Sequence, residues 1–366
     1  MEKFNNFFCH IFSELGANRE DRILKDMLLY MENMEGEYSL SKFWEHFSKK
    51  NLEQLQFGGL NNFKRTINQN YFNWLPTSFQ DEQYKAALEF WTEHPSTIPL
   101  KAEIRDFDFF EGQAVNNNPL LDDDQRSIYT FFVGMLWHYA VCQDTQQVLQ
   151  KLSEPTLGHP IDITIEGKQI SQDLANSARE YNFFRDVLAS NHVEIEEPVI
   201  CELGAGYGRH AYIWLSDLKC KYIIVDTLPA LFVGQWYLKN LFKDKRFFEF
   251  RGFNKFSEIE KEFEASDIVF LMPDQLKLLP NQVFDYFISI STFPEMSREQ
   301  IEDYLKTFSN KTRNAAYLKQ WSYFENVFDN ITLKFDDLTL GTDWNRVIIR
   351  EDPILRSFSE GVWIRS

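Results

Sequence analysis

The chain has 366 residues, 44% of them hydrophobic, which is ample for a packed core and argues against wholesale disorder. Its 55 acidic residues against 38 basic ones give a net charge of −17, so a nucleic-acid partner, itself a polyanion, is not expected. The cysteines (Cys9, Cys142, Cys201, Cys220) form no C-x-x-C pair and the histidines no H-x-x-x-H pair, so free thiols are expected and a metal site is not.

Along the first 165 residues, apolar side chains recur at three- and four-residue intervals in segments 21–34, 39–47, 83–93 and 124–152, which predicts a predominantly helical region. Loops rich in Gly, Asn and Pro separate them, at 58–62 and 116–119. The longest apolar run, 128–142, contains His138 and is shorter than the roughly 20 residues a membrane span needs, so it reads as a buried helix. With no leader-like opening, a cytoplasmic protein without a span is expected.

A breaker-rich linker, S-E-P-T-L-G-H-P (153–160), precedes a short alternation at Ile161, Ile163 and Ile165 and a turn at Glu166-Gly167. Ser171 is placed to cap a helix over 172–190. Beyond Pro198 the period changes. Short apolar runs at 199–203, 222–225, 268–272 and 284–290 alternate with helical patterns, which predicts a mainly parallel sheet covered on both faces. Runs at 315–321, 346–350 and 361–365 are candidates for closing antiparallel strands, and 246–253 is ambiguous between strand and loop. The expected division is a helical region, 1–165, that binds an acceptor or mediates oligomerisation, followed by an α/β domain, 166–366.

The run 199–203 leads into E-L-G-A-G-Y-G-R-H (202–210), where Gly204, Gly206 and Gly208 alternate ahead of a helix. Glycines allow a sharp turn and close approach of a ligand, and the helix start offers unpaired N–H groups to an anion. A dinucleotide turn has G-x-G-x-x-G; here the spacing is G-x-G-x-G and Glu202 precedes it, a carboxylate that would repel a pyrophosphate but suit an ammonium group. An amino acid joined to a nucleoside satisfies both features, which points to S-adenosylmethionine. Asp226, ending the next run, is spaced to hold a ribose diol, and Asp274, after the third, to meet an adenine amino group.

Several stretches resemble a family of bacterial sugar O-methyltransferases associated with surface-polysaccharide biosynthesis. They are F-G-G-L-N-N-F-K (57–64), L-S-E-P-T-L-G-H-P (152–160), S-Q-D-L-A-N-S (171–177), E-L-G-A-G-Y-G-R (202–209), I-I-V-D-T-L-P-A-L (223–231), F-L-M-P-D-Q-L (270–276) and S-T-F-P-E-M (291–296). His159 and Thr227 depart from it, standing where Asn and Ile are expected. The resemblance implies a Rossmann-like class I methyltransferase core and a sugar, nucleotide-sugar or glycan acceptor; a homodimer is left open. The expected cofactor site comprises Glu202, Gly204, Ala205, Gly206, Tyr207, Gly208, Arg209, Asp226, Thr227, Asp274, Gln275 and Ser289.

A sugar hydroxyl needs a base to become a good nucleophile. Glu295, following the run 284–290, is the first candidate, and His210, after the glycine turn, the second. Asp173, Asn176 and Glu180 share one face of the 172–190 helix, where they could grip the acceptor, and Trp321 could offer it a ring. A peptide or small natural product as acceptor, or a scaffold that binds cofactor without turnover, are the competing readings.

Overall fold

The computed structural model describes residue 16 and residues 18–33, 41–67, 75–107 and 121–366. The expected loop at 116–119, the start of the expected 39–47 helix and Cys9 lie outside the described residues.

The first half is built of helices α1 (Arg19–Glu32), α2 (Lys42–Gly58), α3 (Phe63–Thr66) and α4 (Glu82–Glu93), strand β1 (Ala102–Asp106), and helices α5 (Asp123–Cys142) and α6 (Val148–Lys151). Side-chain caps set their starts: Asn18, Ser41, Asp81 and Asp122 each accept a hydrogen bond from a first-turn N–H of α1, α2, α4 and α5. Two details differ from the sequence reading. The expected 124–152 helix is broken after Cys142, and Gln147 adopts a left-handed backbone before α6. β1 was not foreseen, because five residues with charged Glu103 and Arg105 outward carry too little apolar signal. It pairs with β2 (Asp162–Ile165), which turns through Glu166-Gly167, both at positive φ, into β3 (Lys168–Ile170).

Helix α7 (Gln172–Ser190) starts where Ser171 Oγ accepts from the Leu174 amide at 3.0 Å. Then come β4 (Val199–Leu203), α8 (Arg209–Asp217), β5 (Lys221–Val225), α9 (Ala230–Leu241), β6 (Phe247–Phe248), α10 (Glu260–Ala265), β7 (Ile268–Leu271), β8 (Phe284–Ile290) and α11 (Arg298–Lys311). The chain closes with β9 (Thr312–Trp321), the hairpin β10 (Tyr323–Asn326) and β11 (Ile331–Lys334), and β12 (Trp344–Glu351) and β13 (Phe358–Arg365). The ambiguous 246–253 segment forms only the two-residue edge strand β6.

Among the described residues, eight strands form one sheet in the order β12-β13-β9-β8-β4-β5-β7-β6; the 315–321 run, expected among the antiparallel closing strands, lies in β9, which follows helix α11 and runs parallel to β8, so only β13 is antiparallel to its neighbours β9 and β12. This is the α/β architecture expected, and β7 and β8 are buried along their whole length, as a sheet covered on both faces requires. One apolar core runs from α1, α2 and α5 through α7 to one face of the sheet; a second, under α11, covers the other. From β4 the strand order proceeds to β5 on one side and β8 on the other. The carboxyl end of β4 is therefore the switch point, where ligands bind in open α/β sheets.

The two halves are stitched by buried polar contacts. Lys64 is paired with Glu154 and lies 3.1 Å from the Tyr237 hydroxyl, while Glu154 also accepts from Ser171 Oγ at 2.6 Å. Gly158 sits against Phe63, whose ring would be 2.3 Å from an added Cβ. The stretches 57–64 and 152–160, far apart in sequence, thus meet in space.

Candidate active site

The glycine turn occupies the switch point. Gly204, Gly206 and Gly208 have φ of 73°, 58° and 89°, the left-handed region that other residues rarely adopt. At Gly204 a Cβ would also fall 2.0 Å from Thr292 Oγ1. Asp226, at the end of β5, fastens the turn: its Oδ2 accepts from the Gly206 amide and its Oδ1 from the Thr227 amide, each at 2.7 Å. A carboxylate has about four acceptor positions, so each oxygen retains capacity for a ligand. Burial pushes the Asp226 carboxyl up to about 7, against the two amides that favour its charge. Glu202 is 3% exposed, and burial raises its carboxyl to about 8 although the Tyr222 hydroxyl donates to it at 2.8 Å.

A cavity of about 330 Å³ opens beside the turn and receives Glu202, Gly204, Ala205, Gly206, Tyr207, Arg209, Asp226 and Thr227 on one side. Asp173, Asn176 and Glu180 from α7, Glu295 from the loop after β8, and Trp321 at the end of β9 complete its walls. Tyr207 donates its hydroxyl to Asp173 at 2.7 Å, and burial raises the Asp173 carboxyl to about 6. Desolvation, reinforced by the negative charge of Asp226, lifts Glu295 well above the ordinary carboxylate range.

Glu180 behaves oppositely. Burial alone would raise it, but Arg209 and Lys319 outweigh that and hold it down at about 2. Arg209 Nη1 lies 2.6 Å from Glu180 Oε2, and Lys319 Nζ lies 2.9 Å from Glu180 Oε1 and 2.6 Å from Asp352, which pairs in turn with Arg179 at 2.7 Å. This chain of alternating charges ties α7, α8, β9 and the segment before β13 together behind the cavity wall.

Five expected residues do not line the cavity. Gly208 forms the αL entry to α8 and packs against Leu238. His210 is fully buried behind the turn, its Nδ1 4.0 Å from Glu202, and burial pushes it down to about 3, so it stays neutral. Asp274 accepts from the Tyr30 hydroxyl at 2.6 Å, while its neighbour Pro273 reaches the cavity. Gln275 is buried and spans Met272 N and Arg251 O, at 2.9 and 2.8 Å. Ser289 is buried inside β8, 3.3 Å from Gln320 Nε2.

Other cavity residues escaped sequence reasoning: Lys319, Thr292, Phe324 and Phe358, together with Ser41, Phe43, Trp44 and Phe47 of α2. A lysine inside the apolar run A-A-Y-L-K-Q-W was a usable signal for Lys319. The α2 residues gave none, because their place depends on how that helix docks.

No protein-family model and no curated protein sequence matches the chain. Among solved structures it is similar to magnesium protoporphyrin IX methyltransferase from Synechocystis PCC 6803, with 9% identity, a TM-score of 0.37, and coverage of 54% of this chain and 89% of that one. It is also similar to a SAM-dependent methyltransferase from Aquifex aeolicus, with 13% identity, a TM-score of 0.30, and coverage of 50% and 89%. At that distance neither bears on ligand or reaction, which rest on the site itself.

Proposed function

We propose that the chain is an S-adenosylmethionine-dependent O-methyltransferase acting on a hydroxyl of a sugar, nucleotide-sugar or glycan. The observation that carries this reading is the meeting of three features in one cavity at the switch point: the glycine turn, the Asp226 carboxylate fastened to it, and the buried Glu202 carboxyl. The fit to the cofactor is chemical. Glu202, which has the Tyr222 hydroxyl and a neutral imidazole beside it, suits the ammonium of the methionyl group. The spare acceptor positions on both Asp226 oxygens suit a vicinal diol.

When bound, S-adenosylmethionine supplies a methyl group carried on a cationic sulfur. Because transfer is an in-line displacement, positioning of the acceptor oxygen does much of the work, and that task falls to Asp173, Asn176 and the α7 side of the cavity. Glu295 would take the proton that the acceptor hydroxyl gives up. Burial and the Asp226 charge raise its pKa, which makes the carboxylate, once ionised, a stronger base than an exposed one. Glu202 and Asp226 bind the cofactor in its ground state and are not assigned a share of the rate.

Titration calorimetry with S-adenosylmethionine on wild type and Asp226→Ala tests the cofactor half, and transfer of labelled methyl to sugars, nucleotide-sugars, peptides and phenols tests the acceptor half. Labelling of peptides or phenols alone would reject the sugar assignment.

A further inference from the structure

Helix α2 lies across the mouth of the cavity, and its contacts follow the order of the sheet beneath it. At its start, the Lys42 and Phe43 amides donate to the Asp329 carboxylate at 3.0 and 3.3 Å; Asp329 sits in the tip of the β10–β11 hairpin, which follows β9. Ser41 Oγ donates to the carbonyl of Glu295, after β8, at 2.6 Å. Two turns on, Ser48 Oγ donates to the carbonyl of Leu228, after β5, at 3.0 Å. The helix therefore runs from the β9 side of the sheet toward the β5 side. Phe43, Trp44 and Phe47 of its first two turns line the cavity.

There the lining is aromatic from two directions. Phe43, Trp44 and Phe47 come from α2, and Trp321, Phe324 and Phe358 from the ends of β9, β10 and β13. Trp321 is 4.9 Å from Phe358 and 5.8 Å from Phe324, centroid to centroid. Phe328 of the hairpin tip packs on the α2 group, 5.7 Å from Phe43, 5.9 Å from Phe47, and stacked on His46 at 5.4 Å. Polar groups are added by Asp173 and Asn176 on the α7 wall. Ring faces beside hydrogen-bonding side chains match a molecule that is itself a ring with an apolar C–H face and hydroxyls at its edge.

We infer that α2 and the β10–β11 hairpin form a clasp that builds the acceptor site, and that Phe43, Trp44 and Phe47 select a hydroxyl-bearing ring of pyranose size. This rests on the methyltransferase reading for the reaction but not for the binding. The cavity volume is at the low end of the ~300–1,000 Å³ of single-ligand pockets, so with a nucleoside-sized donor in place the clasp must swing outward to admit a ring.

The test uses the full chain with S-adenosylhomocysteine present and the methyl glycosides of glucose, galactose, mannose, rhamnose and fucose as probes. Glycerol and a serine pentapeptide are ringless controls. Binding is read by saturation-transfer NMR and S-adenosylmethionine affinity by calorimetry. At least one glycoside is expected to bind wild type, and Trp44→Ala and Phe47→Ala each to weaken it about tenfold, the scale of a lost ring contact. Trp44→Phe should restore most of the binding, Val327→Ala at the exposed hairpin tip should change nothing, and cofactor affinity should stay near wild type throughout, which reports intact folding. The inference is overturned if no glycoside binds, if only ringless controls bind, or if Trp44→Ala binds as wild type does. Failure of wild type to bind S-adenosylmethionine, with glycoside binding intact, would instead remove the methyltransferase reading and leave the clasp standing.

Discussion

At the scale of single residues, three buried carboxyls share one cavity and are set apart by their neighbours. Glu180 is held ionised by Arg209 and Lys319, whereas Glu202 and Asp226 are raised by burial to about 8 and 7. An ammonium ligand requires Glu202 charged, so its pKa falls on binding and a proton is released. S-adenosylmethionine affinity should therefore climb as pH rises toward about 8 and level off above, and Glu202→Gln should flatten that climb; calorimetry across pH in buffers of different ionisation enthalpy reads both. For Glu295→Gln, the account expects transfer to drop about 10²–10⁴-fold, the usual worth of a general base, with cofactor affinity unchanged. In wild type, kcat should rise with pH through the elevated Glu295 pKa, since the ionised carboxylate is the working form. A Glu295→Gln enzyme of full activity would show that the proton goes elsewhere. Of the two bases that the sequence offered, the structure brings only Glu295 to the cavity. The fault with His210 is geometric: the first turn of α8 points it toward Tyr222 and Trp214, a direction that residue spacing does not encode.

At the scale of elements, the alternating glycines are tied to a close approach. Gly204→Ala introduces both a strained backbone and a Cβ against Thr292, and should destabilise the fold by about 1–3 kcal/mol and lower cofactor affinity, as thermal melts with and without S-adenosylmethionine would show. An Ala variant with unchanged melting and binding would contradict the role given to the turn. This part of the site was legible because everything it needs is local: strand, turn and helix are contiguous, and Asp226 ends the next strand. The parallel strands β4, β5, β7 and β8 were legible for the same reason, as continuous apolar runs, whereas the direction of β9 and the two-residue β6 were not. β1 was not, since its partner β2 lies some sixty residues on and its outward face is charged. Gln275 and Ser289 fall on the right elements, yet their side chains are spent on backbone and Gln320 contacts.

At the scale of the whole molecule, the helical first half is joined to the sheet by a continuous core and by the hydrogen bonds that the buried Lys64–Glu154 pair makes to Tyr237 and Ser171. Removing one partner of such a pair leaves an uncompensated buried charge, so Glu154→Gln should cost about 3–5 kcal/mol in chemical denaturation, and a loss below ~1 kcal/mol would mean that the junction is held by packing alone. This junction is also where sequence reasoning reaches its limit. The family-like stretches 57–64 and 152–160 could be recognised singly, but their contact through Phe63 and Gly158, and the passage of α2 over the cavity, are products of tertiary docking.

The central claim is that the cavity at the switch point holds S-adenosylmethionine through Asp226 and Glu202. Titration calorimetry of the full chain with that compound addresses it most directly. One molecule is expected to bind per chain, with Asp226→Ala weakening binding by about 30-fold or more, as follows from two lost hydrogen bonds to a charged acceptor. Absence of binding by wild type at millimolar concentration, or equal affinity in Asp226→Ala, would contradict it.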